Sequence, residues 1–208
     1  MRLNHYFCLL SIIFVASCAT KHMIYINSMN DYRKQIRENF KNDPRAPLST
    51  DDELNLLDYY PVDPKYMLIC DVHISENTTT LSIPTYSGKE KSYQIYAQAS
   101  CSFEKQGFKL NIYRSADGHQ NPIYRYHLFL PFKDETNSEE TYGGGRYIDL
   151  NVNQIQNGKV IIDFNKAYNP WCAYSDGYNC PIPPVENHLT IPIRAGEKNY
   201  KGEYKTIK

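Results

Sequence analysis

The sequence predicts a mainly β domain, an antiparallel β-sandwich or barrel-like core with an N-terminal helix. Three observations carry that prediction. Tyrosine accounts for 19 of the 208 residues, and it is a side chain that favours strands. From residue 66 onward the apolar residues alternate, or run solid, over short stretches that end in turn residues. One earlier stretch, 28–42, instead repeats its apolar residues at helical spacing.

In that stretch Met29, Tyr32, Ile36 and Phe40 share one face, and Ser28 or Asn30 can cap the start. Asp43-Pro44 ends it, because proline disfavours helix in the residue before it. A second, short helix is expected over 49–57, with Asp51, Asp52 and Glu53 in its positive first turn. Strands are expected over 66–74, 78–84, 92–103, 108–113, 123–131, 147–152, 159–164 and 188–193. Gly88, Gly107, Asp117-Gly118 and Asn157-Gly158 mark turns, and the last is the strongest hairpin signal.

The first residues read as an address. A short apolar run follows Arg2 and is too short to span a bilayer. It ends in Val15-Ala16-Ser17-Cys18, which resembles a bacterial lipobox, where the chain is cut before the cysteine and its sulfur carries a diacylglycerol. The alternative is ordinary secretion with Cys18 as a bystander. The expected organisation is a lipoprotein signal peptide over 1–17, a lipidated tether over 18–27 and a single domain over 28–208. The expected location is the bacterial cell envelope, lipid-anchored in the outer membrane and facing the periplasm, with the membrane as the partner. Net charge is zero and lysines and arginines form no run, so nothing calls for nucleic acid. Of six cysteines, Cys8 leaves with the signal peptide and Cys18 is lipidated. Cys70, Cys101, Cys172 and Cys180 remain, an even number suited to two disulfides in an oxidising compartment.

Two loops carry the candidate chemistry. In Thr141-Tyr142-Gly143-Gly144-Gly145-Arg146, the glycines let backbone N–H groups converge on an anion, and Arg146 would add a bidentate donor. The plainer reading is a bend where a strand starts. The stretch 163–187 collects two cysteines, three tyrosines, four prolines and the only tryptophan. A Cys172–Cys180 disulfide would pin it as an Ω-like loop. Zinc held by those cysteines and His188 needs a poor ligand spacing. A Cys172 nucleophile would use His188 as base, oriented by Glu186 or Asn187. No cofactor or metal is implied. The expected function is a binding module for a small polar or anionic ligand, held by Tyr142, Gly144, Arg146, Asp163, Asn165, Asn169, Tyr174, Glu186 and Asn187. The alternatives are an interaction lipoprotein using the tyrosine-rich loop, or a hydrolytic enzyme using Cys172 or the acid pair Asp163 and Glu186.

Several long motifs resemble one family. They are Phe132-Lys133-Asp134, the glycine loop through Leu150, Asp163 to Tyr174, Cys180-Pro181-Ile182-Pro183-Pro184 with Glu186-Asn187, and Ala195-Gly196-Glu197. Upstream, Leu57-Asp58-Tyr59-Tyr60-Pro61 and Asp63-Pro64-Lys65-Tyr66 fit as well. Together they are similar to the DUF1684 family, from about Asp31 to the C-terminus. Trp171 stands where that family suggests tyrosine, and Ser138 where it suggests glycine. The resemblance implies that these residues form one unit and that lipoproteins are common among relatives. It implies no activity.

Overall fold

One strand of fourteen residues organises the sheet. The computed structural model describes residues 5–208 apart from 77–78, 119–120, 123 and 207–208, with side chains described from Thr20 onward. Its strands are β1 (Met67–Ile74), β2 (Thr80–Pro84), β3 (Glu90–Phe103), β4 (Gln106–Ser115), β5 (His127–Phe132), β6 (Arg146–Asn151) and β7 (Lys159–Asp163). All pairings are antiparallel, in the order β6-β5-β4-β3-β1-β7, with β2 lying along the first half of β3. The sheet curls into a half-barrel, so the barrel-like form is the one adopted, with one sheet and not the two of a sandwich.

The long strand serves both faces. Ala97, Ala99, Cys101 and Phe103 point into the main core with Leu110, Ile112, Leu128 and Ile162. The register slips by one residue between Ile95 and Ala97, a β-bulge, and a one-residue slip exchanges the two faces of a strand. Tyr93 and Ile95 therefore join Tyr113, Phe129 and Tyr147 in a second apolar cluster on the other face. The unbroken odd-numbered alternation from Tyr93 to Phe103 conceals that crossover.

The stretch 188–193 is not a strand of the sheet. Its alternation is real, since Leu189, Ile191 and Ile193 are buried in the main core. Its backbone instead meets the segment after β5, through Leu189 N–H to Lys133 O (2.8 Å) and Glu135 N–H to Ile191 O (3.4 Å). Pro192 has no N–H to continue a ladder. The β3–β4 turn also differs from expectation. It lies at Glu104-Lys105, both with positive φ, and Gly107 is already in β4. Asn157-Gly158 does form a tight turn, with φ of 52° and 70°. Thr78 and Ile123, expected to begin strands, lie outside the described residues.

Helix α1 runs from His5 to Asn42 and so begins well before Ser28. The expected tether over 18–27 is helical, and Tyr25 within it is docked on the domain. Cys18 and the lipobox lie outside the residues whose side chains are described. Met29 and Phe40 are buried and Tyr32 and Ile36 half-buried, as the helical spacing requires. The second helix, α2, is only Asp51–Leu54, started by a Thr50–Glu53 capping box. Beyond it the backbone extends to pair with the C-terminal segment, through Tyr60 N–H to Gly196 O (3.0 Å) and Lys198 N–H to Asp58 O (2.9 Å). No helix among the described residues is long and apolar enough to cross a membrane. Two disulfides close the chain, Cys70–Cys101 between β1 and β3 and Cys172–Cys180 within the tyrosine-rich loop.

Candidate ligand cleft

Arg146 is not a ligand donor. It opens β6 on the core side, and its side chain and that of Asp134 are both 0% exposed. Nη2 donates to Asp134 Oδ2 (2.7 Å) and Ile193 O (2.8 Å), and Nη1 to Ala195 O (2.5 Å) and Glu197 O (3.1 Å). Four acceptors thus use the guanidinium to hold the C-terminal segment in the half-barrel. The glycines before it answer to packing, not to an anion. Gly145 has φ of +90°, and a Cβ there would sit 2.7 Å from Phe132 O. A Cβ on Gly144 would strike the Tyr142 ring, and the Gly144 carbonyl accepts from the Tyr86 hydroxyl (2.9 Å).

The other expected site residues divide. Asp163 accepts from the Tyr25 hydroxyl (2.9 Å) and from Asn165 N–H (3.0 Å). Asn165 pairs with the Asp63 backbone as a peptide group would, accepting from its N–H (3.0 Å) and donating to its O (2.9 Å). These two fasten the N-terminal segments to the end of β7. Asn187 acts as a staple between β4 and β5, which share a single paired position, Tyr113 with Phe129. Its Nδ2 donates to Asn111 O and Pro131 O, and its Oδ1 accepts from Asn111 N–H. Tyr142 donates to Cys172 O (3.2 Å), behind the disulfide. Glu186 is exposed beyond the proline run. Only Asn169 and Tyr174 of the expected set line the cavity described next.

That cavity measures about 650 Å³ and lies where two apolar clusters fail to merge. One wall is the outward face of the sheet, with Tyr93, Phe129 and Tyr147, joined by Tyr168. The opposite wall is the C-terminal part of α1, with Ile36 and Phe40, and the pinned loop, with Trp171 and Tyr174. The floor holds Glu197, which is buried. Its Oε1 accepts from the Tyr174 hydroxyl (2.5 Å) and its Oε2 from Asn169 N–H (3.0 Å). Burial pushes the Glu197 carboxyl up to about 7, and those two donors restrain the rise. Asn169 Nδ2 donates to Lys198 O (2.8 Å), while its buried Oδ1 has no partner among the described residues. At the rim, Asp149 Oδ1 accepts from the Tyr168 hydroxyl (3.0 Å) and shares a hydrogen bond with His127 Nε2 (2.9 Å). No group of three metal-ligating side chains occurs among the described residues.

Residues 52–198 match the family described as a protein of unknown function (DUF1684). The chain belongs to the DUF1684 family. Among solved structures, an uncharacterised protein of Haloarcula marismortui, determined in solution by NMR, is similar at 28% identity and a TM-score of 0.66. The match covers 86% of this chain and 96% of that one. No curated protein matches. In this DUF1684 chain Ser138 has φ of +73°, a conformation that suits the glycine expected there. Trp171 packs across Tyr178 with ring centroids 5.2 Å apart, so the larger ring belongs to the cleft wall.

The cleft residues missed by the sequence reading had signals. Leu189, Ile191, Ile193 and Ala195 alternate inward, and the next step of that alternation is Glu197. A carboxyl at an inward step marks a buried acid. His127 and Asp149 stand on the same face as Phe129 and Tyr147, two residues away in each strand. What no local pattern revealed was that α1 covers this face.

Proposed function

We propose that this DUF1684 chain is a cell-envelope lipoprotein, anchored through Cys18, whose domain is a binding module for a small polar ligand seated in the tyrosine-lined cleft. The observation behind the reading is the cleft floor: a buried Asn169 oxygen without a partner beside a buried carboxyl, in a cavity large enough for a small molecule. The anionic version of the ligand loses its support, because Arg146 is spent inside the core. The interaction-surface version loses ground as well, since the tyrosine-rich loop turns Tyr174 and Cys172 inward. The hydrolytic version lacks its thiol, because Cys172 is in a disulfide, and its acid pair, because Asp163 is committed to Tyr25 and Asn165 while Glu186 faces solvent.

The test is a thermal-shift screen against small polar metabolites, run on wild type and on Lys91→Trp. Lys91 is exposed on the cleft lining, so tryptophan there narrows the cavity from a position outside the buried core. Compounds that raise the melting temperature of wild type are expected to lose their effect in the variant. A full screen without a hit, or hits unchanged by Lys91→Trp, rejects the cleft. The anchor has its own check: globomycin-sensitive processing and labelling of Cys18 by a lipid probe. Unlabelled, unprocessed protein rejects it.

A further inference from the structure

We propose that the cleft takes an organic ammonium, a compact cation carrying N–H or N-methyl groups on a small apolar body. This rests on the reading of the cleft as a ligand site and adds the ligand's charge. The argument starts from where the protons already are. The Tyr147 hydroxyl donates to Pro181 O, that of Tyr168 to Asp149, that of Tyr174 to Glu197 and that of Tyr178 to Arg45 O. Each hydroxyl carries a single proton, so these four offer an incoming molecule lone pairs and ring faces only.

Beside the donors of Trp171, Asn39 and Asn179, the lining also holds acceptors that are not used up. Asn169 Oδ1 is buried and unmatched. Turning the amide over would bring oxygen against Lys198 O, where Nδ2 now donates at 2.8 Å, so the oxygen stays where it is. Both hydrogen bonds to Asp149 fall on Oδ1, which leaves Oδ2 at the rim. Three carboxylates line the cleft, Asp43, Asp149 and Glu197, and Asp43 is held by Arg45. The basic side chains facing it are Lys91, exposed at the mouth, and His127, already hydrogen-bonded to Asp149. An aromatic enclosure with spare acceptors and a spare carboxylate oxygen is built for a donor, and for positive charge over ring faces. A negatively charged ligand would meet the Asp149 carboxylate at the rim and the Glu197 carboxyl at the floor. Burial holds Glu197 near the point of ionisation, so the floor can gain negative charge as a cation arrives.

Isothermal titration of the full chain in a maltoside detergent tests this with paired probes: choline against 3,3-dimethylbutan-1-ol, n-butylammonium against butan-1-ol, and 3,3-dimethylbutanoate as the anion. At least one ammonium is expected to bind about ten-fold more tightly than its neutral counterpart, the size of a desolvated cation–π contribution. Asp149→Asn, a half-exposed position that keeps its partners' geometry, is expected to cost that ammonium about ten-fold and its neutral counterpart nothing. Equal affinity for charged and neutral probes, tighter binding of the anion, or an unaffected Asp149→Asn variant overturns the ammonium. Those outcomes leave the cleft standing as a site if the metabolite hits still disappear in Lys91→Trp. Silence from every probe overturns the ammonium as well, and the metabolite screen then decides the cleft by itself.

Discussion

The molecule has two buried polar assemblies, both hung on the same short C-terminal segment, and they do opposite things. In the first, Arg146 gathers Asp134 and the carbonyls of Ile193, Ala195 and Glu197 in the sealed half-barrel. In the second, Glu197 gathers the Tyr174 hydroxyl and Asn169 N–H at the floor of a cleft, with an oxygen of Asn169 left over. The first joins opposite charges inside packed core; the second brings acceptors together beside open space. Burial of a charged residue therefore does not identify a site. What separates scaffold from site is where the leftover group lies: Arg146 Nε is also without a partner among the described residues but is sealed in packed core, whereas Asn169 belongs to the lining of a cavity.

The largest expected effect would break the first assembly. Arg146→Met should cost about 3–5 kcal/mol in urea unfolding, since it strands the buried Asp134 carboxylate and three carbonyls. A variant as stable as wild type would mean that this assembly is not scaffold. Glu197→Gln addresses the second. Glutamine can still accept from Asn169 N–H while its amide donates to the Tyr174 oxygen. Because the folded carboxyl sits at about 7 against an ordinary 4.5, the folded state holds the proton longer, and stability falls as pH rises through that interval. Wild type should lose about 3 kcal/mol relative to Glu197→Gln between pH 4.5 and pH 8. Parallel unfolding curves for the two proteins would contradict the raised carboxyl.

A smaller effect sharpens the comparison at the cleft wall. Replacing Cys172 and Cys180 together by serine should cost about 2–3 kcal/mol, the closure entropy of so short a loop. It should also weaken any cleft ligand, whereas Arg146→Lys, which keeps the charge, should lower stability with ligand affinity intact. The smallest effect is a gain: Ser138→Gly should add about 0.5–1 kcal/mol by relieving a left-handed backbone. A loss there would show that the serine side chain contributes more than the strain costs.

Much of the frame was legible because it follows from local rules. Period-two stretches located seven strands to within a few residues, and the spacing of Met29, Tyr32, Ile36 and Phe40 identified the inward face of α1. Counting cysteines led to two disulfides, while their pairing came with the structure. The site was harder to see, since the conspicuous residues were spent on construction. Arg146, Asp163, Asn165 and Asn187 stood out in the sequence because polar groups at strand ends can serve ligands. Here they replace missing backbone pairing, as Asn187 does where β4 and β5 separate. His127 and Asp149 meet across the β5–β6 pairing, but Glu197 and the α1 wall reach the same cavity from segments far away in the sequence.

The position of α1 has a mechanical consequence. The helix is held by the Tyr25 hydroxyl on Asp163 and Arg33 on Tyr60 O, and its far end supplies Ile36 and Phe40 to the cleft. Wall and fastening are one helix, so a load along it is shared between the end of β7, where Tyr25 is tied, and the cavity, where Ile36 and Phe40 stand. A displacement along that axis would strain the contacts of Tyr25, Arg33 and Arg37 with the domain and carry Ile36 and Phe40 along the tyrosine wall.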